Sequence, residues 1–200
     1  MSEVSSRHII ITISREYGAG GRSVAKELSG RLGLPWYDRD FVKKTAALSG
    51  YTEEEINSEG EAVKSGTRWL TNLISPVAYE SSTDAIFRAQ KEVILGMAKK
   101  ESCIIIGRCA NLILKEAGIP HLSVFLYADH EHRMKRAAEL AENGDMDLEK
   151  FIARRDSRRA AYYKIYTGHS FGDYHDYHIS LDTGKIGYKG CVDIITNILG

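Results

Sequence analysis

Between Arg15 and Ser23 the chain reads Arg-Glu-Tyr-Gly-Ala-Gly-Gly-Arg-Ser, a glycine-rich turn with an arginine near each end and a hydroxyl at its close. It follows the apolar run Ile9 to Ile13 and opens a stretch in which Val24, Ala25, Leu28 and Leu32 recur at helical spacing. A buried strand that breaks into such a turn and resumes as a helix aims its backbone N–H groups, and the helix's positive end, at one spot that suits a phosphate. The residues expected around that phosphate are Gly18, Ala19, Gly20, Gly21, Arg22 and Ser23, with Arg15 beside them. The phosphate-loop pattern G-x-x-x-x-G-K-[ST] is only half met, because Arg15 stands at the first glycine and Gly21 at the lysine. Phosphoryl transfer needs a cation near the β- and γ-phosphates, so Arg22, Arg15 or an arginine from elsewhere has to supply it. Ser23 stands where a hydroxyl would coordinate magnesium. A dinucleotide-binding turn fits less well, since Val24 occupies the third glycine position of G-x-G-x-x-G. Taken alone, a glycine cluster also marks ordinary tight turns.

A second concentration of charge lies at Arg154, Arg155, Asp156, Arg158 and Arg159. Arg155 and Arg159 are four apart, as are Arg154 and Arg158, so one helix presents two stacked pairs of guanidinium groups. By itself such a run is ordinarily a solvated face. In a chain that also carries a phosphate loop it reads as a basic lid that closes over polyphosphate and shields it from water. Its planar forks bind phosphate oxygens bidentately and neutralise the charge of a transferring phosphoryl group. Asp156, among four arginines, is expected to orient them rather than to act as a base.

Other reactive side chains invite blander readings. His130 and His132, and the loop histidines His169, His175 and His178, lack the i, i+4 pairing of a helical zinc site. Tyr162, Tyr163, Tyr166, Tyr174 and Tyr177 read as packing between the lid and the core, with stacking on a base as the alternative. Cys109 reads as a small buried residue, because no neighbouring base is in view to activate it.

The elements that must position these residues alternate between strand and helix. Trp36-Tyr37-Asp38 is a short strand end, Glu80 to Lys100 a long helix, and Cys103 to Ile106 a buried strand with Gly107-Arg108 at its carboxyl end. Asn111 to Ala117 is a short helix and Leu122 to Leu126 another buried strand. Asp129 caps a helix expected over His130 to Asn143 and closed by Gly144. A helix follows from Asp147 to about Tyr166, then a last strand from His178 to Leu181 and a terminal helix around Val192 to Leu199. This alternation argues for a mostly parallel sheet covered on both faces, whose ligands sit at the carboxyl ends of the strands. The loop after Ser14, Asp38 and Arg108 fall at such ends and are treated as one site. The expected organisation is a core of residues 1–40, 80–146 and 178–200, a helical insertion at 41–79 and a lid at 147–177. Within the insertion, Glu53 to Glu61 carries five acidic side chains and no basic one, which reads as a solvated segment.

Ile-Thr-Ile-Ser-Arg-Glu-Tyr-Gly-Ala-Gly-Gly-Arg, then Ile-Ile-Ile-Gly-Arg-Cys-Ala, then Arg-Arg-Asp-Ser-Arg-Arg, in that order along nearly the whole chain, resembles the cytidylate-kinase-like branch of the nucleoside monophosphate kinases. The resemblance implies a P-loop fold of three α/β/α layers on a five-stranded parallel sheet, a helical insertion that binds the acceptor nucleotide, and a basic helical lid. It implies ATP with Mg2+ as phosphoryl donor and a nucleoside monophosphate such as CMP or dCMP as acceptor. Gly18, Ala19, Gly20 and Ser23 match the family's loop, and Gly21 departs from it at the lysine. Asp38 matches the aspartate after the second strand, Arg39 stands at a nucleotide-contacting serine, and Arg108 matches the arginine of G-R-D, with Cys109 replacing its aspartate. Arg88 resembles a phosphate-binding arginine on the preceding helix. Asp156 and Arg159 match the lid's D-x-x-R and Arg155 an adjacent basic position. Ile152 stands at an earlier arginine, with Arg154 one turn on to compensate. The implied roles are Arg88 and Arg108 on the acceptor phosphate, Asp38 on the acceptor or the metal, and Arg22, Arg155 and Arg159 on the transferring group.

Composition narrows the alternatives. The 200 residues are 43% hydrophobic, enough for one sizeable core, and Lys plus Arg equals Asp plus Glu at 27 each. A global basic field for a nucleic acid polymer is therefore absent, and any polyanion site must be local. The three cysteines are widely spaced and read as reduced thiols, Met1 to His8 lacks an apolar signal core, and no run approaches the roughly 20 apolar residues of a membrane span. The expectation is a cytoplasmic protein, monomer or homo-oligomer, whose partners are small nucleotides. Two rivals remain at this stage: a nucleotide-binding regulator that has lost catalysis, and a kinase for another small metabolite.

Overall fold

β-Branched and other apolar residues dominate four short runs, and each becomes a strand that water barely reaches. β1 (Ile10–Arg15), β3 (Cys103–Ile106), β4 (Leu122–Tyr127) and β5 (Ile179–Asp182) join the two-residue β2 (Trp36–Tyr37) in one sheet of order β2-β3-β1-β4-β5. All pairings are parallel, with Ile13 opposite Ile106 on one side and Val124 on the other. The computed structural model of the protein describes residues 8–38 and 82–200. Arg39 and the expected acceptor-binding insertion at 41–79 lie outside the described residues.

The helices connecting the strands divide between the two faces, as buried parallel sheets require. On one face α1 (Gly21–Leu32) packs Val24, Ala25 and Leu28 against Cys191, Val192 and Ile195 of the terminal helix, over Ile11, Ile13, Val124 and Leu126. On the other, α2 (Ser82–Lys100) and α3 (Ala110–Glu116) bring Ile94, Met97, Ile113 and Leu114 onto Ile10 and Ile105. The result is the expected three-layer α/β/α arrangement. α4 (His130–Leu140) and α5 (Leu148–Thr167) stand together at the carboxyl end of the sheet. Tyr162 and Tyr163 of α5 reach down into the second core cluster.

Most element ends shift by a residue or two from the expected ranges, and at α4, the last strand and the terminal helix the shift has a visible cause. α4 ends at Leu140 rather than Asn143, because Ala141 takes the left-handed capping conformation, φ 48°, expected at Gly144. The last strand is displaced by one residue and ends in Asp182, whose side chain accepts from the N–H groups of Gly184 and Lys185. That cap starts α6 at Thr183, well before Val192, and the helix is kinked at Gly187. Gly184, Gly187 and Gly190 depress helix propensity, so the first half of α6 is invisible to a propensity argument.

Candidate active site

The turn after β1 begins with Glu16, whose N–H continues the ladder to the Leu126 carbonyl at 3.0 Å. It then needs two residues at positive φ. Gly18 (φ 83°) lies where a Cβ would come within 2.6 Å of the Arg133 carbonyl oxygen, and Gly20 (φ 74°) caps α1 with the Tyr188 ring pressed against it. α1 therefore starts at Gly21, and its first N–H groups, from Gly21 to Ser23, have no intrahelical partner. They face a cleft of ≈ 640 Å3 lined by Arg15, Gly18, Gly20, Gly21, Arg22, Ser23, Arg136, Arg155 and Arg159 among others. The expected loop residues are thus gathered in one place.

Beside it lies a second cleft of ≈ 570 Å3. Its walls include Arg108, Arg158, Tyr162, Tyr163 and Phe171. Arg15, Asp38 and Arg159 line both clefts and so form the partition between them. Arg108 enters this wall from a strained turn. Gly107, Arg108 and Cys109 have φ values of 74°, 59° and 56°, a left-handed run that costs a non-glycine residue about 1 kcal/mol or more.

The carboxylates of the site are already paired. Asp38 accepts from Arg22 Nε at 2.6 Å and lies 3.9 Å from the Arg15 guanidinium. Burial pushes the Asp38 pKa up, but Arg15, Arg22 and Arg108 more than offset it and hold the carboxyl below its ordinary value. Arg15 is the reverse case. Burial first, then the neighbouring Arg159, push its pKa down to about 9, opposed by Asp38. Glu142 takes Arg22 at 3.4 Å, Arg155 at 3.7 Å and the Tyr17 hydroxyl at 2.9 Å.

Asp156 occupies the centre of the expected lid. One of its oxygens accepts from the Tyr17 N–H at 2.7 Å and from Arg159 at 3.3 Å, and the other from Arg133 at 2.7 Å. Arg159 also donates to the Arg15 carbonyl at 3.2 Å. Arg155 and Arg159 lie 5.7 and 5.6 Å from the centre of the Tyr17 ring, within cation–π range. The arginines of α5 do not act as two equivalent pairs. Arg155 and Arg159 face the loop, Arg158 lines the second cleft, and Arg154 is exposed and lines neither. Arg154 therefore does not compensate for Ile152, which is buried against Tyr17 and Ala137. Arg88 is exposed on α2 and lines neither cleft.

Five contributors were not singled out from the sequence: Glu16, Tyr17, Arg133, Arg136 and Glu142. Arg133 and Arg136, three apart behind the Asp129 cap, carried the one available signal. Arg136 reaches the Ser23 hydroxyl at 3.3 Å. Magnesium keeps its waters and takes one or two protein oxygens besides phosphate, and the Ser23 hydroxyl is the loop oxygen that could serve it. Its position in the first turn of α1 fits that requirement.

Most of the remaining reactive groups are held by partners inside the fold. Burial pushes the Cys109 thiol up to about 12, so it stays protonated. Tyr162 bonds Gln90, Tyr163 bonds Asn111 and Asp176, and Tyr166 stacks on Phe87 at 4.1 Å, while Tyr174 is exposed. His169 pairs with the buried Asp176 at 2.9 Å, and His178 accepts from the Ser123 N–H. Among the described residues no group of three or more metal-ligating side chains occurs, and no helix is long and apolar enough to cross a membrane.

Comparison with known proteins places this geometry in context. The pattern of the cytidylate kinase-like family matches residues 10–185. The cytidylate kinase of Methanococcus vannielii is 31% identical over 190 residues, covering 94% of this chain and 97% of that one. A crystal structure of an uncharacterized protein from Eubacterium ventriosum superposes with a TM-score of 0.67 at 24% identity, covering 96% and 98% of the two chains. The shikimate kinase of Bacteroides thetaiotaomicron shares the fold at a TM-score of 0.58 and 14% identity, over 96% and 98%.

Proposed function

Because the chain belongs to the cytidylate kinase-like family, we propose that it transfers the γ-phosphoryl group of ATP to a nucleoside monophosphate, with CMP or dCMP as the preferred acceptor. The observation that carries the proposal is the shared partition. Arg15, Asp38 and Arg159 line both the cleft over the phosphate loop and the cleft over Arg108, so a donor and an acceptor phosphate would meet across two guanidinium groups. Curated relatives that bear the name cytidylate kinase support the choice of acceptor.

In this reading the backbone N–H groups from Gly18 to Ser23 hold the donor phosphates, and the Ser23 hydroxyl takes the magnesium ion that accompanies ATP. Magnesium, when bound, neutralises charge on the donor oxygens. Arg108, Arg158 and the aromatic wall of Tyr162 and Tyr163 take the acceptor and Asp38 orients it, with Arg39 and Arg88 as the further candidates for its phosphate. An acceptor phosphate oxygen forms a bond to the γ-phosphorus as the bond to the β–γ bridging oxygen breaks. ADP leaves with that electron pair, and no proton need move. Arg15, Arg22, Arg155 and Arg159 offset the charge that spreads over the transferring group. Asp156 keeps Arg159 in place and takes no proton. Catalysis is positioning and charge neutralisation, and the reaction draws on cytoplasmic nucleotides.

Calorimetric titration with Mg–ATP, followed by a coupled ADP-release screen across nucleoside monophosphates, tests the proposal. Turnover is expected with CMP or dCMP ahead of the other acceptors. Binding without turnover on any acceptor would replace the kinase reading with that of a nucleotide-binding regulator, and failure to bind ATP would remove both.

A further inference from the structure

Arg15 does not extend into solvent from the end of β1. Its side chain crosses the first residue of α1 and ends at the turn after β3. A Cβ built on Gly21 would lie 2.7 Å from Arg15 Cγ, 3.2 Å from Cδ and 3.3 Å from Cβ. One built on Gly107 would lie 2.5 Å from Arg15 Nη1. The two contacts differ in kind. At Gly107 only the mobile tip is met, and a φ of 74° already favours glycine there. At Gly21 the stem itself is met, so no movement of the tip relieves the clash. Gly21 is helical and not among the residues at positive φ, so its backbone does not call for glycine. Glycine at a helical position costs up to about 1 kcal/mol against alanine, and something must offset that cost. The space it leaves is filled by Arg15.

We infer that Arg15 supplies, from the end of β1, the cation that a lysine at position 21 would otherwise bring to the donor phosphates, and that glycine at 21 is retained to seat it. The inference rests on the kinase reading. Two of the three departures from the phosphate-loop pattern, arginine at the first glycine and glycine at the lysine, are then one exchange, and only Arg22 at the hydroxyl position stands apart. The guanidinium gains a planar fork suited to two phosphate oxygens in place of an ammonium point charge. It also lines both clefts, whereas Gly21 lines only the loop cleft. Arg159, donating to the Arg15 carbonyl, closes the basic helix onto the same residue. The buried, like-charged surroundings that depress the Arg15 pKa are what a bound polyanion would relieve.

Two measurements test this. Without nucleotide, Gly21→Ala is expected to lower the melting temperature in the wild-type background and not in an Arg15→Gly background, where the space is free. With Mg–ATP, calorimetry is expected to show on the order of tenfold or greater loss of affinity for Arg15→Gly and for Gly21→Lys, and recovery in the double variant Arg15→Gly/Gly21→Lys. Arg15→Met keeps the stem, removes the charge, and is expected to fold and to lose the same affinity. Equal melting shifts in the two backgrounds, or unchanged ATP affinity in Arg15→Met, would overturn the inference while leaving the kinase reading intact. If the wild-type protein fails to bind Mg–ATP, the kinase reading falls and the cationic role with it, and the melting comparison alone then decides the steric fit.

Discussion

The Asp156 carboxylate accepts the backbone N–H of Tyr17 at 2.7 Å, which ties the middle of α5 to the phosphate loop. The tie is reinforced from both sides, because Arg133 and Arg159 share the same carboxylate and Arg155 and Arg159 rest over the Tyr17 ring. A helix held this way presents its guanidinium groups to the loop before any ligand arrives, and the energy of ordering them is spent on folding.

Asp156→Asn keeps the shape and removes the charge. A hydrogen bond to a charged group is worth about 1.5–3 kcal/mol, so a loss within or below that range is expected in chemical denaturation, since the side chain is partly solvated. At about 2–4 °C per kcal/mol for a chain of this size, the melting temperature should fall by several degrees. Unchanged stability would show that the tie is not formed in solution.

Arg159→Ala should separate binding from turnover. Its guanidinium belongs to the partition between the clefts, where the proposed transfer would develop charge, so kcat is expected to fall about 10²- to 10³-fold while ATP affinity changes far less. Equal losses in both, measured by steady-state kinetics and calorimetry, would remove the transition-state role.

Acid should act on the site through Asp38. Its folded pKa is held below the ordinary 3.8, against the effect of burial, by Arg15, Arg22 and Arg108. A depressed carboxyl contributes stability that is present above the unfolded value and lost as pH falls through the folded one. Melting curves of the wild type and Asp38→Asn should therefore differ most near neutral pH and converge below pH 3.8. A gap that stays constant with pH would contradict this assignment.

The fold was readable because its signals are local. Ile9 to Ile13, Cys103 to Ile106 and Leu122 to Leu126 are apolar runs closed by glycine or a capping residue, and each is a strand in the parallel sheet. The strand, glycine turn and helix from Ile10 to Leu32 are legible for the same reason, all lying in one short stretch. The start of the terminal helix is not legible in the sequence because Gly184, Gly187 and Gly190 hide it, and its Asp182 cap is recognisable only once the strand boundary is known. Tyr17, Arg133, Arg136 and Glu142 escaped notice because their partners are remote: Tyr17 meets Asp156 across 139 positions and Glu142 across 125. Arg15 and Gly21 are two separate departures from a motif in one dimension, and only the three-dimensional structure shows that a Cβ at Gly21 would lie 2.7 Å from Arg15 Cγ.

The most direct measurement is phosphorus NMR of the wild-type protein incubated with Mg–ATP and CMP. Conversion to CDP and ADP in equal amounts, slowed about 10²-fold or more by Arg159→Ala, is the expected result. ATP consumed without CDP, or ATP bound and left intact in the presence of every nucleoside monophosphate, would contradict the account.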